Sequence, residues 1–164
     1  MLKKKSSQSL QEFKQLPVIA QKLNQWFSVY FHAFIEISAG RTSPEEILKY
    51  WGVPLHSSGP AQSKWLKTAE EVIQVLQEMQ AILKSMGYTH TVILDKRISI
   101  YNENAGRVET IMSRRAEDDI EVDRAAVSFE LRGQAEGWII ISTTSLPTVS
   151  AKLDLVWPQI QSDE

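Results

Sequence analysis

A chain of 164 residues with 43% apolar and 23% charged side chains has the make-up of one globular domain rather than of a disordered segment. Its net charge of -2 and pI of about 6.0 argue against a broad basic face for nucleic acid. With no cysteine there is no disulfide scaffold, thiol catalyst or cysteine-ligated metal, and a reducing cytoplasmic compartment is the default expectation.

The first residues, Met1 to Ser7, are basic but lack the apolar stretch of a signal peptide. Residues 1–16 read as a flexible polar tail, 17–150 as a single domain and 151–164 as a C-terminal extension. From Pro17, Leu23, Phe27, Tyr30, Phe34 and Ile37 recur at helical steps, with Trp26 and Ala33 widening the stripe, until Ala39-Gly40 ends the helix. Polar interruptions such as Lys22, His32 and Glu36 make this stretch too polar to span a bilayer.

Ser43-Pro44-Glu45-Glu46 has the form of a capping box with proline at the first helical position, predicting a short helix to about Tyr50. Trp51 to Lys64 reads as irregular chain with one short strand near Pro54 to Ser57. Thr68-Ala69-Glu70-Glu71 then caps a helix carrying Val72, Ile73, Leu76, Met79, Leu83 and Met86 on one side, stopped by Gly87. From Tyr88 the apolar period changes from 3.6 to 2, predicting strands at about 89–101, 106–117, 120–132 and 137–147. Helices followed by consecutive hairpins predict an α+β domain, with three N-terminal helices packed on a curved antiparallel meander.

A turn centred on Asp118-Asp119 sets the register. It puts Val108, Thr110 and Met112 opposite Phe129, Val127 and Ala125 on one face, while a one-residue slip would set those apolar groups against polar ones. The hairpin around Gly133 to Gly137 is expected to add Ile139, Ile141 and Thr143 to the same wall. Ile111, Ala126, Trp138 and Ile140 then project from the other face, forming an apolar patch. Two readings stand for that patch: a homodimer face, which we favour, or a surface covered by the chain's own Leu153 to Trp157.

Several stretches, taken in order, carry a resemblance: Ala39-Gly40 before Ser43-Pro44-Glu45-Glu46-Ile47, Ser113-Arg114-Arg115 before an acidic hairpin, and Gly137-Trp138-Ile139-Ile140 opening the last strand. Over roughly Val18 to Thr148 the chain resembles the nuclear transport factor two-like superfamily, in its SnoaL-like and ketosteroid-isomerase-like branches. That resemblance implies a cone-shaped, cystatin-like domain with a pocket between helices and concave sheet, and commonly homodimers through the outer sheet face. In the isomerase branch a carboxylate on the short strand after the second helix is the general base. Here Val53 to Gly59 contains none, and no Asp or Glu occurs from Ile47 through Ala69. The isomerase mechanism is therefore not matched.

The pocket is expected to be lined by Tyr30, Trp51, His56, Met112, Arg114, Val127 and Phe129. His56 and Tyr30 are the catalytic candidates: His56 titrates in the range of a general base, and Tyr30 carries a hydroxyl on the buried stripe. A surface histidine and a core tyrosine with one hydrogen bond are the plainer readings of the same residues. Arg114 is expected to pair with Asp123 across the hairpin. His32, His56 and His90 are scattered and no HExxH occurs, so no metal or other cofactor is expected.

Three functions fit. The first is a homodimeric, non-catalytic domain binding a small apolar or weakly polar ligand, with no nucleic-acid or membrane partner. The second is a lyase, isomerase or cyclase working through His56 and Tyr30, and the third an interaction module whose pocket is filled by its own side chains.

Overall fold

The computed structural model describes residues 3–160, with side chains from Gln15 onward. Helix α1 (Lys3–Ser38) is followed by a 3-10 turn (Pro44–Lys49), strands β1 (Trp51–Ser58) and β2 (Ser63–Leu66), and helix α2 (Ala69–Ser85). Strands β3 (Tyr88–Asn102), β4 (Ala105–Ala116), β5 (Glu121–Gln134) and β6 (Gly137–Pro147) form the meander, and a single-turn helix α3 (Leu153–Val156) ends it.

The long helix does not start at Pro17; Pro17 lies inside it. The chain from Ser6 to Leu16 contains no Gly or Pro, so one missing backbone donor at Pro17 does not end the ladder. Helix α2 starts where its cap predicts: the Thr68 hydroxyl accepts from the Glu71 amide at 3.2 Å, and the Glu71 carboxylate reaches back to the Lys67 amide. The Ser43 side chain makes no such cap. It bonds the Glu45 carboxylate instead, and the segment closes as 3-10 rather than α.

The sheet has six strands in the order β2-β1-β6-β5-β4-β3. It is mixed rather than wholly antiparallel, because β1 runs parallel to β6. The Asp118-Asp119 hairpin has the expected register, pairing Val108 with Phe129, Thr110 with Val127 and Met112 with Ala125. Asp119, at a φ of 65°, takes the left-handed position of that turn. Gly137, at a φ of 91°, opens β6 so close to helix α1 that a side-chain carbon there would sit 2.9 Å from the Trp26 ring.

The register then breaks at two places. Between β5 and β6, Glu130 pairs with Ser142 but Leu131 pairs with Ile140, leaving Ile141 as an extra residue. This bulge reverses the faces of the start of β6: Trp138 and Ile140 turn into the core, while Ile139 and Ile141 turn outward, the opposite of the alternation expected from sequence. Between β1 and β6, the chain advances from Trp51 to His56 on β1 while β6 advances only from Ile140 to Ser142. The excess, around Gly52-Val53-Pro54, stands away from regular pairing and makes a rim on the outer face.

The main core lies between helices and concave sheet. Leu23, Phe27, Tyr30 and Ile37 of α1 and Val72 and Leu76 of α2 meet Leu55, Val108, Phe129 and Ile140, all with essentially no exposed surface. A second, smaller core sits on the outer face, where Leu153 of α3 covers Ile111 and Ala126, flanked by Leu94, Val156 and Trp157. Polar bonds hold this strap down. Asp95 accepts from the Leu153 amide at 2.9 Å, and Arg97 bonds Glu109 at 2.7 Å and Asp154 at 2.8 Å. Arg124 donates to the Val149 carbonyl at 2.8 Å.

Candidate functional site

The residues expected to line a pocket divide into three groups. Tyr30, Trp51, Met112, Val127 and Phe129 do come together, in the core between α1 and the sheet. The space there is occupied by rings. Tyr30 has no exposed surface and lies within 6 Å, centroid to centroid, of Trp26, Phe27, Phe34, Tyr50 and Phe129. Its hydroxyl accepts a hydrogen bond from the Trp51 indole Nε1–H at 3.1 Å. Burial holds that hydroxyl protonated far above the ordinary tyrosine range, only weakly opposed by the Trp51 bond. A phenol so placed is a structural anchor, and as a catalytic acid it has no path to a substrate.

Arg114 is the second group. It sits at the end of β4 and its guanidinium bonds Asp123 across the hairpin, the pairing set by the register. His56 is the third, and it lies on the other side of the sheet. Leu55 points into the core, so its neighbour His56 points outward, toward Ser142 on β6 and Trp65 on β2. Imidazole Nδ1 is 3.2 Å from the Ser142 hydroxyl, and Nε2 is 2.9 Å from that of Ser63. The Trp65 ring packs edge-on at 5.0 Å between centroids.

The four residues expected to form a dimer face are not available as one. Ile111 and Ala126 are sealed beneath Leu153, the covered reading of that patch, and Trp138 and Ile140 are in the main core because of the Ile141 bulge.

A different set of residues forms the open concavity of the outer face. Its volume is about 760 Å³. Ile139 and Ile141 make the floor, Val53, Pro54 and Trp65 one wall, and Glu130, Arg132 and Gln134 the other, with His56 and Ser142 at the polar end. Trp65 is 57% exposed and Val53 44%, large apolar surfaces left facing solvent. The Glu130 carboxylate is taken by Arg107, whereas Arg132 makes no ion pair with another described residue. Next to it, Arg97, Arg107, Glu109 and Ser128 line a more polar hollow of about 410 Å³ beside Trp157.

Sequence reasoning missed Trp65, Arg132, Ile139 and Ile141 as a group. One signal was present: Gly59-Pro60 is a turn dipeptide that follows the alternating Trp51, Val53 and Leu55 and precedes the apolar pair Trp65-Leu66, which fits the β1–β2 hairpin that carries Trp65 beside His56. The bulge at Ile141 left no such mark. Among the described residues no group of three or more His, Asp or Glu is placed to hold a metal ion, and no helix is long and apolar enough to cross a membrane.

Comparison with known proteins agrees with this architecture. A family model described as NTF2-like protein (DUF6841) matches residues 21–148. Among solved structures, an NTF2-like protein with a cystatin-like fold from Novosphingobium aromaticivorans superposes with a TM-score of 0.62 at 10% identity, covering 92% of this chain and 96% of that one. A protein of unknown function with a cystatin-like fold from Nostoc punctiforme gives 0.55 at 19% identity, over 73% and 87% of the two chains. A ketosteroid isomerase-like protein from Erwinia carotovora atroseptica gives 0.57 at 11% identity, over 80% and 96%. At these identities the likeness is one of fold. No curated protein matches the chain.

Proposed function

The chain belongs to the NTF2-like protein family DUF6841, and from that premise we propose that it is a non-catalytic binding domain that works from the outer face of its sheet rather than from the interior of its cone. One contrast carries the reading. The rings around Tyr30 occupy the interior, while the groove beside His56 and Trp65 is open and of the size that holds a small molecule. The absence of a carboxylate from β1 and the placement of Tyr30 and His56 on opposite faces of the sheet count against an acid–base pair.

The test is a screen of small apolar ligands followed by amide and indole resonances. Perturbations should gather on His56, Trp65, Ile139 and Ile141. A ligand that instead shifts Trp51, Phe34 and Phe129 would place binding inside the cone and overturn the reading.

A second reading is self-association through the same face, favoured by the exposure of Trp65 and Val53. Native mass spectrometry separates the two. A dimer that Trp65→Asp converts to monomer supports self-association, and a monomer carrying bound mass supports the ligand site.

A further inference from the structure

We propose that the outer-face groove takes a small monocarboxylate with an apolar body, its carboxylate held by Arg132. The inference rests on the reading of the groove as the binding site and adds the chemical class of ligand. Charge is the first argument. Of the ionisable residues that line the groove, only Arg132 carries a permanent charge that no other described residue answers. Glu130, two residues along the same strand, has its carboxylate on Arg107, and His56 has both ring nitrogens engaged by Ser142 and Ser63. A guanidinium offers a planar fork that matches a carboxylate in two parallel hydrogen bonds.

The rest of the lining limits the body attached to that carboxylate. Ile139 lies directly across from Arg132 in the β5–β6 pairing, and Ile141 continues the floor toward His56. Beyond them Val53, Pro54 and Trp65 close the far wall on β1 and β2. Strands sit about 4.8 Å apart, so β2 and β5 are three spacings, roughly 14 Å, from one another, and because Trp65 lines up across the sheet with Glu130, two residues short of Arg132, the diagonal from Trp65 to Arg132 is roughly 16 Å. Both side chains line the groove and take up part of that span, which leaves room for a short aliphatic or arylalkyl chain. A doubly charged head such as a phosphate monoester would find one cation here and the Glu130 carboxylate nearby, and is disfavoured. A cationic ligand would meet Arg132 with Glu130 already neutralised.

The experiment compares 4-phenylbutyrate with 4-phenylbutyramide, the same body without the charge, by titrating the Trp65 indole N–H and Ile141 amide resonances of the full chain, the Ile141 amide serving as the reporter in Trp65→Ala. The acid should bind at least about tenfold more tightly than the amide. Arg132→Gln should weaken the acid about tenfold and leave the amide unchanged, Arg132→Lys should recover part of the loss, and Trp65→Ala should weaken both. Because Arg132 is on the surface, an unchanged melting temperature checks that each variant is folded. Equal affinity of acid and amide, or an acid affinity indifferent to Arg132→Gln, overturns the carboxylate assignment. If Trp65→Ala still weakens both in that case, the groove stands as the site and only the ligand class falls. If neither compound shifts Trp65 or Ile141, the assignment falls together with the outer-groove reading.

Discussion

On the concave side of the sheet Val108, Phe129, Leu131 and Ile140 are sealed against the rings of α1. On the convex side their immediate sequence neighbours, Arg107, Glu130, Arg132 and Ile141, stay in reach of solvent. The same strands supply both sets, so the difference comes from which face the helices cover. In a cone-shaped fold the covered face is where a pocket would be sought, yet here aromatic packing has filled it. The convex face keeps a groove because an irregular β1 and a bulged β6 pull their backbones away from regular pairing. Filling one face and opening the other separates stability from binding, and that separation can be tested residue by residue.

The largest effect is expected inside the cone. Phe129→Ala should cost about 3–5 kcal/mol in chemical denaturation, because Phe129 is fully enclosed between Phe27 and Tyr30 and the cavity left would be dry. A loss below about 1 kcal/mol would mean that the interior is loosely filled and can admit a ligand after all. Next comes the strap. Leu153→Ala should cost about 2–4 kcal/mol and uncover Ile111 and Ala126, read as added binding of a hydrophobic dye. An unaltered stability would show that α3 rests on the sheet without contributing.

Tyr30→Phe tests the interior more finely. Removing the hydroxyl leaves the Trp51 Nε1–H without its acceptor, at a cost of about 1–2 kcal/mol at neutral pH. The pH dependence has a definite sign. Tyr30 is held protonated in the folded chain well above its unfolded value, so its contribution is whole below about pH 10 and is lost as pH rises beyond that. Between pH 10 and 11 the parent should lose up to about 1.4 kcal/mol more than the variant, narrowing the gap between them. Parallel stability curves over that interval would contradict the burial of the phenol.

Much of this fold was legible in the sequence, and for identifiable reasons. The β3–β4–β5 meander could be read because Asp118-Asp119 fixes one turn and apolar alternation on both sides admits one register. Helix α2 was legible because its cap and stop are local. What could not be read depends on contacts distant in sequence. The parallel β1–β6 pairing and the extra residue at Ile141 are settled by tertiary packing, and that one residue moved Trp138 and Ile140 from an expected dimer face into the core. The covering of Ile111 and Ala126 by Leu153 was the less favoured of two readings of that patch, because nothing local in the sequence decides between them.

The smallest effect on stability should come from the convex groove, and that is what makes it informative. Trp65 is more than half exposed and His56 makes two hydrogen bonds to serine hydroxyls near the surface, one of them 2.9 Å and the other 3.2 Å. His56→Ala and Trp65→Ala should therefore each change stability by less than about 1 kcal/mol. Residues that carry so little of the fold have no stability reason to be a histidine clasped between two serines, or a tryptophan left facing water. If either variant instead destabilises the chain as much as Phe129→Ala, the groove is a second structural core, and both the convex binding site and the separation of the two faces fail with it. If both variants keep their stability and Trp65→Ala loses ligand, the convex face binds and the cone interior is what holds the sheet in shape for it.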